Sequence, residues 1–161
     1  YLLKEADVVL VGVSRTGKTP LSVVLAQTMG LKVANVPLVL ECDPPAELLS
    51  DEMDHSKVFC LTINPNELKR IRVARLERSR VTELQDETMG KDVSNYADRN
   101  YMLRDLTTAR KLAARMGWVE VDVTGRAVEE TASYIDSLLK EAESQRVSEE
   151  FKRFDLLGGA A

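Results

Sequence analysis

The 161-residue sequence predicts an α/β fold, a parallel sheet with helices on both of its faces. Short apolar runs, rich in β-branched residues, alternate with longer segments whose apolar residues recur every three or four positions. The first apolar run leads directly into a glycine-rich octapeptide and then into a helix-forming segment. Because right-handed crossovers join parallel strands, this alternation places helices on both sides of one sheet.

The first half of the chain predicts three strands and three helices. The run 8–11 is apolar throughout, which is typical of a strand buried on both faces. Gly30 ends the helix that follows, and Pro37 indicates an irregularity or an end in the second strand. The pair Asn64-Pro65 stops the third strand, and Asn64 or Asn66 can cap the next helix. The predicted strands cover 8–11, 32–40 and 58–63, and the predicted helices cover 21–29, 45–50 and 67–81.

The second half of the chain predicts a lid, a strand and two helices. Residues 84–95 are polar and aperiodic, which is typical of a mobile lid. Apolar residues at helical spacing then predict a helix over 97–116 that Gly117 closes. A strand over 118–124 and an amphipathic helix over 128–142 complete the pattern.

The octapeptide Gly12–Thr19 matches the pattern G-x-x-x-x-G-K-[ST] and lies between a strand and a helix. Backbone N–H groups of such a loop, together with the helix N-terminus, point to one place and bind phosphate there. Gly12 and Gly17 permit the tight bend, Lys18 supplies positive charge for the terminal phosphates, and the Thr19 hydroxyl can ligate Mg²⁺. We therefore predict a P-loop kinase-like parallel sheet, whose nucleotide-binding loop also includes Ser14, Arg15 and Thr16.

Several charged residues are candidates for chemistry near this loop. Arg72 and Arg75 lie on the same side of the predicted helix as its apolar residues, which favours phosphate binding, although a solvated basic face stays an alternative. Asp43 and Asp122 are candidates to assist an attacking hydroxyl, although Asp43 can instead open a turn and Asp122 can cap a helix. Thr124, at the end of the fourth strand, is expected at the same sheet edge and is a candidate nucleotide contact.

Composition excludes some classes of function. The net charge of −4 argues against a nucleic-acid partner, and no apolar run is long enough to span a membrane. Two cysteines and one histidine do not suffice for a disulfide scaffold or a Cys/His zinc site, and they indicate an intracellular compartment. The chain begins at Tyr1, which suggests a piece of a longer protein.

The element pattern divides the chain into two parts. We predict a P-loop kinase-like catalytic domain over 1–143. A partly disordered C-terminal extension over 144–161 follows, and its apolar residues are available for docking: Phe151, Phe154, Leu156 and Leu157.

Over residues 6 to about 139, the sequence resembles the pyruvate, phosphate dikinase regulatory proteins. The resemblance covers the phosphate loop with its flanks, 6–22, and further separated motifs in the same order: 35–39, 58–65, 71–75, 94–97 and 122–132. Because several separated motifs occur in the same order, the resemblance is more specific than a match to the phosphate loop alone would be.

The resemblance implies a bifunctional enzyme. Such an enzyme transfers the β-phosphate of ADP to a threonine of the dikinase, leaving AMP, when the catalytic histidine of the dikinase is phosphorylated. It reverses the modification with inorganic phosphate and releases pyrophosphate. Bacterial relatives act in the same way on phosphoenolpyruvate synthase. A requirement for Mg²⁺ and assembly into a homodimer are further expectations. A likeness to the plant branch of the family implies that the protein is located in the chloroplast stroma, with the cytoplasm as the alternative.

Two other functions stay open at this stage. The third strand with its arginine-bearing helix, and the segment Asp122-Val123-Thr124 before an amphipathic helix, also resemble small-metabolite kinases such as shikimate kinase, which use ATP. A nucleotide-binding switch with little turnover is the second alternative. ADP-dependent transfer to a dikinase, ATP consumption with small hydroxyl compounds, and nucleotide binding without turnover distinguish the three.

Overall fold

A computed structural model describes residues 3–82 and 98–158 and contains one parallel sheet of four strands in the order β2-β1-β3-β4. The strands are β1 Val8–Gly12, β2 Val33–Pro37, β3 Val58–Thr62 and β4 Val119–Asp122. The helices are α1 Lys18–Met29, α2 Pro65–Thr82, α3 Arg99–Met116 and α4 Val128–Gly158. The predicted P-loop kinase-like α/β fold is confirmed.

The two faces of the sheet pack against different helices. On one face, Val8 and Leu10 of β1 contact α1 and the first turns of α4, including Leu25 and Ile135. On the other face, Val9 and Val11 contact α2 and α3. Every side chain of β1 is buried, which explains its unbroken apolar sequence.

The central strand determines where the functional groups lie. β1 pairs in parallel with β2 from Val8↔Val33 to Gly12↔Pro37, and with β3 on its other side. Because all four strands are parallel, their carboxyl ends share one edge of the sheet. The glycine-rich loop leaves β1 at this edge, as predicted.

Several predicted boundaries differ from the structure. β2 ends at Pro37 and not at residue 40, because the next residues form a turn closed by a bridge between Val39 and Cys42. The predicted short helix at 45–50 is a 3-10 turn over Ala46–Leu49. The fourth strand is shorter than predicted at both ends, and α1 begins earlier, at Lys18.

Several helix ends have the predicted capping residues, and Asp98 is a cap that was not predicted. Asn64 accepts a hydrogen bond from the N–H of Asn66 at 2.9 Å, immediately before Pro65 begins α2. Asp98 caps α3 by accepting from the N–H of Tyr101 at 2.9 Å, and Gly117 ends that helix in the left-handed conformation. The predicted lid at 84–95 lies outside the described residues.

The last helix is longer than predicted. α4 continues past residue 144 to Gly158, so the stretch predicted to be partly disordered is helical here, and its apolar side chains are exposed: Val147, Phe151, Phe154 and Leu156. The division into a domain over 1–143 and an extension stays a prediction.

Among the described residues, no helix combines the length and the apolar character needed to cross a membrane.

Replacing Gly12 by Ala tests the close packing at the end of β1. Gly12 has φ +147°, and an added Cβ would lie 2.9 Å from the carbonyl oxygen of Leu61. We expect Gly12→Ala to lower the free energy of unfolding by at least about 2 kcal/mol, because the clash involves the backbone of a buried strand. Gly30→Ala is the control, since its Cβ meets nothing within 4 Å and only the left-handed φ of 68° costs about 1 kcal/mol. Urea unfolding of both variants measures the difference, and equal losses would contradict the packing argument.

Candidate nucleotide-binding site

The loop between β1 and α1 has an unusual backbone conformation. Gly17 precedes the first helical residue at φ 85°, and Arg15 has φ 70°, the one positive value at a non-glycine residue within 3–82 and 98–158. Left-handed residues within a tight loop turn successive N–H groups toward a common concavity, where an anion binds. The local geometry therefore fits phosphate binding by the backbone.

Lys18 lies folded against this loop. Its ammonium group donates to the carbonyl oxygens of Gly12 and Val13, each at 2.7 Å, and only 9 % of the residue is exposed. Burial lowers the pKa of Lys18 to about 8, whereas the negative charge of Asp105 acts in the opposite direction. The lysine is thus a buried cation held beside the concavity by loop carbonyls.

The two threonines of the loop have different environments. Thr16 is buried, and its hydroxyl donates to the carbonyl oxygen of Val13 at 2.9 Å, so this side chain supports the loop itself. Thr19 is exposed in the first turn of α1. The described residues contain no group of three or more His, Cys, Asp or Glu side chains placed to hold a metal ion. A Mg²⁺ ion here would depend on phosphate oxygens, water and the Thr19 hydroxyl, which is the coordination that nucleotide-bound Mg²⁺ usually has.

A buried ion pair supports the loop from the other side. Arg72 of α2 is 1 % exposed and donates from Nη2 to Oδ2 of Asp105 in α3 at 2.9 Å. The same nitrogen donates to the carbonyl oxygen of Ser14 at 3.2 Å. Burial raises the pKa of Asp105, and the hydrogen bond from Arg72 opposes that rise. Two helices and the phosphate loop are therefore joined at one guanidinium group.

Sequence reasoning selected Arg72 but missed Asp105. The signal was present, because Asp105 interrupts an apolar stripe of α3 formed by Met102, Leu106 and Ala109. A carboxylate at a buried helical position needs a partner, and an arginine on the neighbouring helix supplies it. Arg75, predicted to act beside Arg72, is exposed on α2.

A first cavity, of about 170 Å³, lies beside the phosphate loop and is also lined by α1, α2 and the start of α4. Arg15, Thr16 and Gly17 form one wall, and the other walls are mostly apolar, with Ile63, Val123 and Val128. Arg126, which sequence reasoning also missed, lines this cavity and lies 5.3 Å over the ring of Tyr134. Apolar walls next to a phosphate-binding loop suit the base of a nucleotide.

A second cavity, of about 320 Å³, lies between α3 and the segment that follows β2. We call it the acceptor-side cleft; it is lined by Leu38, Cys42, Asp43, Asp105, Lys111 and Arg115, among others. Tyr101 of α3 donates to Oε2 of Glu41 at 3.0 Å and connects the same two elements. Asp43 thus shares a cavity with Asp105, the carboxylate paired with Arg72.

Asp122 and Thr124 lie in a different place. The Asp122 carboxylate accepts from the hydroxyl of Thr124 at 2.6 Å and from its N–H at 2.9 Å, which lowers the pKa of Asp122. The Thr124 hydroxyl in turn accepts from the N–H of Asn64 at 2.8 Å. Both residues line a third cavity, with Arg110 and Glu120, so the structure does not bring Asp43 and Asp122 together.

Comparison of the sequence with known proteins shows the family of this chain. Residues 2–135 match the Kinase/pyrophosphorylase family. The chain belongs to that family. It is 50 % identical over 143 residues to a pyruvate, phosphate dikinase regulatory protein of Sorangium cellulosum, a match that covers 88 % of this chain and 47 % of the relative.

Two further relatives have the same name. The protein of Syntrophomonas wolfei is 46 % identical over 132 residues, covering 81 % of this chain and 44 % of the relative. The rice protein, named as chloroplastic, is 45 % identical over 136 residues, covering 83 % of this chain and 26 % of the relative. The chain thus spans about half the length of the bacterial relatives it matches, and the matched part includes the phosphate loop.

The low pKa of Lys18 predicts proton uptake when a nucleotide such as ADP binds. With a pKa of about 8 in the free protein, Lys18 is half protonated at pH 8. The phosphates of ADP raise that pKa, so binding at pH 8 takes up about half a proton, and the affinity falls as the pH rises through the pKa of the complex. Calorimetry in two buffers of different ionisation enthalpy measures the uptake. Lys18→Arg keeps its charge throughout and takes up no proton at this position, and an unchanged uptake in that variant would contradict the assignment to Lys18.

The buried pair predicts unequal costs for single and double substitutions. Asp105→Leu leaves the Arg72 guanidinium buried without its carboxylate and is expected to cost about 3 to 5 kcal/mol in the free energy of unfolding. Adding Arg72→Met removes that charge, so we expect the double variant to recover at least about 2 kcal/mol. Urea unfolding checks both values. The exposed pair Arg110–Glu120, at 3.1 Å, is the control and should cost less than about 1 kcal/mol when broken. Additive losses at Arg72 and Asp105 would show that the two charges are not coupled.

Proposed function

We propose that this chain is the nucleotide-binding part of a bifunctional enzyme that uses ADP to phosphorylate a threonine of pyruvate, phosphate dikinase and uses inorganic phosphate to remove that phosphate. The observation that carries the proposal is the buried Lys18 within a loop shaped for phosphate, in a chain that belongs to the Kinase/pyrophosphorylase family. The names of the relatives supply the protein substrate. Dikinase phosphorylated on its catalytic histidine is the proposed form of the substrate.

In the forward direction, the threonine hydroxyl of the dikinase attacks the β-phosphorus of ADP. The bond between that phosphorus and the bridging oxygen breaks, and AMP leaves with that oxygen. In the reverse direction, an oxygen of inorganic phosphate attacks the phosphothreonine phosphorus and the threonine oxygen leaves, so pyrophosphate and a free hydroxyl form. The same phosphoryl group therefore occupies one position in both reactions.

The loop residues hold that position. Backbone N–H groups from Gly12 to Thr19 bind the phosphates, and the Lys18 ammonium turns from the loop carbonyls to the transferred group. The Thr19 hydroxyl binds Mg²⁺ when the metal accompanies the nucleotide. Arg72 acts chiefly by holding Ser14 of the loop, and the exposed Arg75 binds phosphate from solvent.

The two carboxylate candidates are not equivalent. Asp43 lines the acceptor-side cleft, where the incoming threonine hydroxyl can meet it, and we propose that it takes the hydroxyl proton in the forward reaction and returns it in the reverse reaction. The hydrogen bonds from Thr124 lower the pKa of Asp122, which makes it a weaker base. Asp122 and Thr124 therefore shape the loop after β4, next to the cavity proposed for the adenine.

The cellular location and the oligomer belong to the same proposal. Relatives from bacteria and from rice match the chain with similar identity, so the chloroplast stroma is proposed for a plant protein and the cytoplasm for a bacterial one. A homodimer is the expected assembly.

Transfer of labelled β-phosphate tests the proposed reaction. The chain is incubated with ADP labelled at its β-phosphorus and with dikinase phosphorylated on histidine, and the label is located by mass spectrometry. We expect it on threonine, and we expect Lys18→Ala to reduce the forward and reverse rates at least about 100-fold each, because one charged contact to the transferred group is lost. Lys69→Ala, which removes an exposed lysine of α2, is the matched control and should keep both rates.

Other outcomes would favour other functions. Transfer from γ-labelled ATP to a small hydroxyl compound would support a metabolite kinase, and nucleotide binding without any transfer would support a switch. If Lys18→Ala kept one of the two activities, the two reactions could not share one site.

A further inference from the structure

The acceptor-side cleft carries opposite charges at its two ends. Asp105 lies at the end next to the phosphate loop, since Asp105 contacts Arg72 and Arg72 contacts Ser14. Lys111 and Arg115 line the cleft farther along α3. At 1.5 Å per helical residue, they are about 9 Å and about 15 Å from Asp105 along the helix axis.

Among the residues that the structure describes, the two cations have no counter-ion. Within residues 3–82 and 98–158, neither Lys111 nor Arg115 forms an ion pair or a side-chain hydrogen bond, whereas Arg110 of the same helix pairs with Glu120. They are four residues apart, so their side chains project from the same side of α3. A cleft with two such cations at one end is suited to an anionic ligand.

We propose that the acceptor-side cleft binds the reacting segment of the protein substrate, and that Lys111 and Arg115 bind an anionic group which that protein carries near its reacting hydroxyl. This inference rests on the function proposed above. The hydroxyl lies at the end of the cleft that holds Asp105, close to the phosphate loop, and ADP enters through the separate cavity lined by Arg15 and Val123. A spacing of about 9 Å corresponds to about three residues of extended chain, so the anionic group lies within a few residues of the hydroxyl.

This arrangement separates donor from acceptor. The nucleotide cavity is formed by the loop with α1, α2, the start of α4 and the segment after β4, the cleft is formed by α3 with the segment after β2, and the two share no lining residue. Each reactant therefore approaches the phosphate loop without displacing the other. Such an approach suits a transfer in which the attacking and leaving oxygens lie on opposite sides of the phosphorus.

The native cysteines provide a direct test of where the protein substrate binds. Cys42 is exposed and lines the cleft, whereas Cys60 is buried in β3, where burial raises the pKa of its thiol to about 12 and keeps it unreactive. Iodoacetamide therefore labels the native chain at Cys42. We expect the dikinase to slow that labelling at least fivefold, and ADP alone to leave it unchanged, as measured by mass spectrometry of the Cys42 peptide.

Charge reversal tests the role of the two cations. We expect Lys111→Glu and Arg115→Glu each to raise the KM for the dikinase at least tenfold, with a smaller effect on kcat. Lys152→Glu makes the same change of charge on the exposed last part of α4 and should leave the KM unchanged. The dissociation constants of the dikinase with and without phosphate on its histidine identify the anion. A phosphate is the ligand if charge reversal weakens binding of the phosphorylated form only, and a carboxylate is the ligand if binding of both forms weakens equally.

The failures of the two proposals are distinguishable. If the wild-type chain phosphorylates the dikinase but the dikinase does not protect Cys42, or if the reversed variants keep a normal KM, the cleft is not the acceptor site and the proposed function stands. If the wild-type chain transfers no phosphate from ADP to the dikinase, the proposed function fails and the assignment of the cleft fails with it.

Discussion

The Arg72–Asp105 ion pair is the interaction on which the arrangement of the site depends. A loop with glycines at both ends has little stiffness of its own. The phosphate loop continues into α1 at one end, and Arg72 donates a hydrogen bond to the carbonyl oxygen of Ser14. Asp105 keeps that guanidinium in place and joins α3 to the same point. A movement of α2 or α3 that separates the pair therefore removes the carboxylate that keeps Arg72 beside the loop.

Local patterns predicted the parts of the site that are contiguous in sequence. Residue types a few positions apart are enough to predict the octapeptide loop, the strand before it and the helix after it. This is because a phosphate-binding loop of this kind binds its ligand through the backbone of one short segment. Helical periodicity also located Arg72 and Arg75 on one side of α2, but it could not tell which is buried. That difference arises from α3, whose Asp105 is 33 residues away in the chain.

The carboxylates show a second limit of sequence reasoning. Asp43 and Asp122 both follow strands of a parallel sheet, so the sequence places both at one edge. The sequence cannot show that the turn closed by the Val39–Cys42 bridge brings Asp43 to the cleft beside α3. Nor can it show that the Asp122 carboxylate accepts two hydrogen bonds from Thr124. Which of two acidic side chains can serve as a base is decided by its hydrogen bonds, and these depend on the loops rather than on the strands.

The electrostatics of Lys18 suit a site proposed to catalyse both the forward and the reverse phosphoryl transfer. A fully solvated lysine would attract either reactant only weakly, because water screens its charge. Buried beside the loop carbonyls, with a pKa of about 8, Lys18 is a cation whose charge the fold does not fully compensate, and a phosphoryl group completes its coordination. In the function proposed above, ADP in the forward reaction and phosphate with phosphothreonine in the reverse reaction both present that group. We therefore propose that the same desolvated lysine stabilises the charge that develops in either direction, so that one loop supports opposed reactions.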